Sequence, residues 1–180
     1  MACLGGCAGP GEDVSLDGAA VRALKARLDS QPSATAALQE GCPIPIRVMH
    51  LPALIQPSLE ILTLLDVQDT ARIRTRHVRL LCGTTPLSDA WNWYVPERLT
   101  AEMNRLLDTT DTPFGRAVRE TRFRRQRLDT RLPGNGPGII LENRALLRRA
   151  SDDAPIALVR EDYLPAALKP CQDAGDQFRC

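Results

Sequence analysis

The stretch Ile156-Ala-Leu-Val-Arg-Glu-Asp-Tyr-Leu164 constrains this chain more than any other. Its residues alternate as a β-strand requires, because successive side chains point to opposite faces. One face carries Ala157, Val159, Glu161 and Tyr163, and Glu161 is the only charged residue on it. A carboxylate there is paired, protonated or at work, since an unpaired buried charge is very costly. Earlier in the chain, Arg72-Ile-Arg-Thr-Arg-His-Val-Arg-Leu-Leu-Cys82 shows the complementary pattern. Arg76 shares its face with Val78, Leu80 and Cys82, where the strand turns apolar. An acid and a guanidinium on largely apolar strand faces point to a small closed site for an anionic ligand.

The 180 residues fit one domain large enough to bury a real core. A formal net charge of +1 gives no whole-molecule field that argues for nucleic acid. No run approaches the ~20 apolar residues of a membrane span. Leu4-Gly-Gly-Cys7 lacks the basic start and apolar segment of a lipoprotein signal and reads as a flexible leader. Six cysteines stand at 3, 7, 42, 82, 171 and 180, without a Cys-x-x-Cys pair or a histidine at ligand spacing. Cys42 and Cys82 therefore read as small core hydrophobes, in a reducing, cytoplasmic compartment and with no structural zinc.

Residues 1–13 form the leader, 14–168 the folded domain and 169–180 a loose tail. Val21, Leu24 and Leu28 recur at helical spacing over Asp17–Ser30. Ser33 caps a second helix that runs to Gln39. Ile44–Ile55, bracketed and interrupted by prolines, is an edge strand or bulge. Leu59–Leu65 reads as a further strand. Arg72–Gly83 and Ala90–Val95 make a hairpin around a rather long loop, Gly83–Asp89. Pro96-Glu97 opens a helix carrying Leu99, Met103, Leu106 and Leu107, and Pro113 begins a short one to Arg119. Arg122–Leu132, Ile139–Leu147 and Pro155–Leu164 are the last strands. The expected fold is α+β, a single largely antiparallel sheet of five or six strands backed by helices.

Seven arginines crowd residues 116–131. They are either an anion-steering surface or a solvated face paired with Glu120, Asp129 and other acids. Gly134-Asn-Gly-Pro-Gly138 is a hairpin loop and no phosphate cradle, since no Lys-Ser/Thr and no helix follow it. Trp91, Trp93 and Tyr94 read as core and sheet-face residues, and His77 as a strand residue. Thr109-Thr-Asp-Thr-Pro-Phe-Gly115 is either a plain helix start or an anion site, with Gly115 admitting a ligand close to the backbone and Phe114 giving an apolar wall.

Taken in order, Ser33-Ala-Thr-Ala-Ala-Leu38, Ile46-Arg-Val-Met49, Thr75-Arg-His-Val-Arg-Leu-Leu-Cys82, Val95-Pro-Glu-Arg-Leu99, Asp111-Thr-Pro-Phe-Gly115 and Val159-Arg-Glu-Asp-Tyr-Leu-Pro165 resemble the chorismate pyruvate-lyase (4-hydroxybenzoate synthase) family. The resemblance covers residues 33–165 and lapses between Leu132 and Arg148. It implies one antiparallel sheet backed by helices around a ligand pocket. It also implies elimination of pyruvate from chorismate to leave 4-hydroxybenzoate, without metal or organic cofactor. By that resemblance Arg76 holds the ring carboxylate, Met49, Phe114 and Gly115 line the site, and Glu161 faces the ring hydroxyl and the departing ether. Strand alternation favours Arg76 over Arg79, which falls on the opposite face.

So sparse a site suits the reaction, because aromatisation makes the elimination downhill. The protein has to hold a dianion in a reactive conformation and assist one proton transfer. Arg76 supplies bidentate carboxylate recognition, and Glu161 donates the proton or orients the substrate. The alternative is a non-catalytic binder of aromatic carboxylates on the same fold. Effector-binding modules of bacterial transcription regulators share it, but residues 1–32 are too short and Gly-rich for a helix-turn-helix. The expected partners are thus chorismate and 4-hydroxybenzoate, with no nucleic acid and no membrane, and a monomer is favoured.

Overall fold

The computed structural model describes residues 18–169, together with the backbone of a two-stranded hairpin, Gln172–Asp173 with Phe178–Arg179. The proposed leader, most of the tail, and Cys3, Cys7, Cys171 and Cys180 lie outside the described side chains.

Six strands form one antiparallel sheet in the order β1-β2-β3-β6-β5-β4. They are β1 (Arg47–Leu51), β2 (Arg74–Cys82), β3 (Thr85–Tyr94), β4 (Arg124–Arg131), β5 (Leu141–Arg148) and β6 (Pro155–Tyr163). β6 pairs on both sides, with β3 and with β5, so the stretch that dominated the sequence lies inside the sheet. β2 and β3 close through a two-residue turn, with Gly83 at φ 60. That is tighter than the long loop expected. Thr85–Asp89 joins the ladder after a register shift beyond Leu80, and the irregularity accommodates Pro86.

The inner face is roofed at one end by α1 (Gly18–Ser30) and α2 (Ala34–Gln39). Val21, Leu24 and Leu38 pack there on Val48, Leu80, Ala90 and Tyr163. At the other end lie α4 (Ala101–Thr109) and the single turn α5 (Phe114–Ala117). Met103, Leu107 and Phe114 meet Tyr94, Leu147 and Val159. The outer face is covered in part by α3 (Leu59–Leu65), whose Ile61 and Leu65 pack on Trp93, Leu146 and Leu158.

α3 replaces the strand expected from the apolar run. A short run of leucines and isoleucines fits either state by periodicity, and the local caps decide it. Ser58 accepts from the Ile61 N–H at the start, and Asp66 ends the helix in the left-handed region, its N–H donating to Leu62 and Thr63. A second correction concerns Cys42 and Cys82. They are not separate core hydrophobes but a disulfide with Cα atoms 5.8 Å apart, which ties the segment after α2 to the end of β2. No helix among the described residues is long and apolar enough to cross a membrane.

Candidate functional site

The register decides which expected site residues share a face. Arg76 lies opposite Asn92, and Asn92 opposite Val159. Val78 lies opposite Ala90, Ala90 opposite Glu161, and Glu161 opposite Asn143. Arg76 and Glu161 therefore stand on the same covered face, in neighbouring rows, with the central strand β3 between them. Arg79 and Met49 are paired with each other and face the other way. Arg79 is held by Asp89 through two hydrogen bonds of 2.7 and 2.8 Å. Met49 is 38% exposed and is not among the residues that line the spaces around Glu161. An even-numbered β1 neighbour, His50, is on the inner face instead.

Between the two roofs, an apolar chamber of about 50 Å³ lies over Val78, Ala90, Asn92 and Val159. Phe114 and Gly115 are also in its lining. One wall is the carboxylate of Glu161. Arg125, on β4, reaches across the face to grip it, with Nη2 to Oε2 at 2.6 Å and Nη1 to Oε1 at 3.2 Å. The Tyr163 hydroxyl donates to the same Oε2 at 2.9 Å. Beyond this ion pair lies a polar chamber of about 170 Å³, with Gln31, Ser33, Arg127 and Asn143 in its lining. Both chambers have Arg125 and Glu161 in their walls, together with Pro32, Ser33 and Ala34, so the ion pair is part of the partition between them.

The electrostatics follow from burial. Burial alone would lower the Arg125 pKa, but the adjoining Glu161 charge and hydrogen bonds carry it above the ordinary arginine value. The Tyr163 phenol is pushed well up, first by burial and then by the Glu161 charge. Arg76 shows the opposite balance, its pKa lowered by burial, which outweighs the opposing influence of Tyr94 and Asp111. Its Nη2 donates to the Thr112 and Thr110 carbonyls at 3.0 and 3.3 Å, and approaches His50 Nε2 at 3.3 Å. Among the described residues its Nε and Nη1 have no partner, and neither has the Oδ1 of its cross-strand neighbour Asn92. Arg76 borders a separate cleft with His50, Tyr94, Leu107 and Asp108.

The structure thus gathers Phe114, Gly115 and Glu161 around one space and sets Arg76 next to its Asn92 end. Arg125 was legible only as one of seven arginines, because nothing in its local sequence tells which of them crosses the sheet. Tyr163 carried a usable signal, standing two residues after Glu161 on the same strand face. Asn92 and Ser33 carried none beyond their strand and cap positions.

No protein-family model matches this sequence. It is 38% identical over 175 residues to the uncharacterized protein y4mC of Sinorhizobium fredii, an alignment covering 81% of this chain and 73% of that protein. The fold is similar to that of PhnF from Mycobacterium smegmatis, with a TM-score of 0.58 at 13% identity, over 75% of this chain and 64% of that one. The chain thus spans less than two thirds of PhnF's own length. The PhnF effector domain alone gives 0.57 at 14% identity, over 74% of this chain and 88% of that domain. The ligand-binding domain of a candidate GntR-family transcriptional regulator from Bordetella bronchiseptica gives 0.53 at 17%, over 69% and 88%. These likenesses establish the chorismate lyase-like antiparallel fold.

Proposed function

The chain belongs to the y4mC family and has the fold of GntR-family effector domains, and on that premise we propose that it is a small-molecule-binding module for a compact, aromatic-type carboxylate. The observation that carries this reading is the part-buried Arg125–Glu161 pair standing between an apolar and a polar chamber. A ligand ring would pack against Phe114, Val78 and Val159. Its carboxylate would compete with Glu161 for Arg125, or would use the free N–H groups of Arg76 beside Asn92. Size supports a two-chamber site. Benzene occupies a protein cavity of about 150 Å³, so the 50 Å³ apolar chamber is too small for a ring until the partition moves. The effector role named for the PhnF domain is in keeping with such a ligand-dependent rearrangement.

A second reading, chorismate pyruvate-lyase activity, is favoured by Arg76 and Glu161 sharing the covered face under Phe114-Gly115. Glu161 weighs against it. Its carboxylate already accepts two bonds from a guanidinium and one from a phenol, so both of its oxygens are engaged by the protein before any substrate arrives. Calorimetry with 4-hydroxybenzoate, run beside an assay for pyruvate released from chorismate, separates the two. Binding without pyruvate is the expected result. Pyruvate release on the timescale of enzyme turnover would transfer the site to the lyase, and neither signal would remove both readings.

A further inference from the structure

The arginine-rich stretch divides into two populations once its partners are known. Arg124, Arg125, Arg127 and Arg131 are engaged by Asp153, Glu161, Asp29 and Asp129. Arg116, Arg119 and Arg122 are exposed, and among the described residues their side chains have no acid or hydrogen-bond partner. The same holds only for Arg22 and Arg47 among the other described arginines, the rest of which each make at least one hydrogen bond or ion pair.

These three free cations converge. Arg116, Arg119 and Arg122 line one open groove of about 470 Å³ with Phe123, and Arg125 forms its inner end. The groove also shares Pro32, Ser33 and Gly115 with the apolar chamber, so it adjoins the candidate ligand site directly. Arg122 adds an independent sign. It ends the short helical turn Arg119–Thr121 with φ 47 and ψ 40, in the left-handed region that favours glycine or asparagine. An arginine kept in a conformation that glycine would adopt without strain points to a use for its charge.

We propose that this groove is an anion-binding vestibule, and that the ligand of the cavity carries a phosphate-class group, a phosphate ester or a diphosphate, that rests on Arg116, Arg119 and Arg122. Three unneutralised guanidinium groups suit a centre bearing more than one negative charge, and each offers the forked donors that match phosphate oxygens. The concave shape and its opening onto the chamber select a small molecule with an apolar body over an extended polymer. The inference rests on the binding-module reading for the body of the ligand, and on the groove alone for its anionic end.

The test uses inorganic pyrophosphate as the probe for the groove and 4-hydroxybenzoate as the probe for the cavity, both by calorimetry at low ionic strength. Arg116→Ala/Arg119→Ala should weaken pyrophosphate by roughly 10-fold or more, as loss of two close charges implies, with folding unchanged because neither side chain has a partner. Arg22→Ala/Arg47→Ala removes the same net charge elsewhere and should leave the affinity within about 2-fold. Arg122→Gly should weaken pyrophosphate while raising the unfolding midpoint, a combination that a purely structural Arg122 cannot give. Pyrophosphate binding lost as expected, with no 4-hydroxybenzoate binding in any variant, would keep the vestibule and remove the cavity reading. No pyrophosphate binding, or equal weakening by the two double variants, would overturn the vestibule.

Discussion

Substituting the two sides of the Arg125–Glu161 pair gives the most direct check on the site. The Glu161 side chain is 8% exposed and the Arg125 side chain 29%. Breaking a fully buried pair costs about 3–5 kcal/mol, and an exposed pair contributes about 0–1 kcal/mol. Glu161→Gln leaves the more exposed partner unpaired, so the expected cost lies between these limits, about 2 kcal/mol. Arg125→Met strands the more buried carboxylate with only the Tyr163 hydroxyl, and the cost rises to about 3 kcal/mol. The double variant leaves no unpaired charge and should cost no more than the smaller single change. A loss of 2 kcal/mol corresponds to about 4–8 °C in the unfolding midpoint for a chain of this size. Denaturant melts of the four proteins complete the cycle. Ligand affinity reads the same pair independently, because Glu161→Gln frees Arg125 and should tighten 4-hydroxybenzoate by up to about tenfold. A proton-donor role predicts instead a loss of turnover of roughly 10²-fold with chorismate. Costs that add to within about 0.5 kcal/mol would show that the two side chains are not coupled, and the partition between the chambers would have to be abandoned.

Three further outcomes are expected. Arg76→Ala should weaken 4-hydroxybenzoate binding by more than ~2 kcal/mol and Arg79→Ala far less, since Asp89 already holds Arg79 on the other face; the reverse ranking by calorimetry would reassign the carboxylate site. Tyr163 ionises above the ordinary tyrosine range, so its neutral form stabilises the fold fully below about pH 10 and that contribution is lost as pH rises through the folded value. Alkaline melts of the wild type should therefore fall more steeply above pH 10 than those of Tyr163→Phe, and identical slopes would deny the shift. Replacing both Cys42 and Cys82 by serine opens a 40-residue loop and should cost about 4 kcal/mol by chain entropy; an unchanged denaturant midpoint would exclude the disulfide as a stabilising tie.

The alternation around Glu161 and Arg76 was sufficient to anticipate the sheet and the face both residues share, because period-two patterning is fixed by backbone geometry. Leu59–Leu65 misled for the same physical reason: seven residues of mostly apolar character carry no period that distinguishes strand from helix. Only the Ser58 and Asp66 caps held the answer, in side chains flanking the run. The disulfide was equally hidden. Cys42 and Cys82 are each buried in a hydrophobic cluster, which is where a free thiol would also go. Their meeting depends on how α2 docks against β2, a tertiary fact with no local trace.

The site divides along the same line. Phe114, Gly115 and Glu161 could be placed from local pattern and resemblance, and the fold brings them together. Met49 rested on the resemblance alone, since a strand five residues long with exposed positions on both sides of Val48 gives alternation little to act on. Arg125 illustrates the deeper limit. Seven arginines in one stretch look alike until the sheet assigns each a face and a partner. β4 is an edge strand, so Arg125 and Arg127 lie on the inner face, opposite Leu147 and Ala145, while Arg124 and Gln126 face outward. Arg116, Arg119 and Arg122 precede the strand and belong to no ladder at all. Steering surface and paired face were posed as alternatives for the whole stretch; the fold gives pairing to one part of it and leaves the other part free beside the cavity.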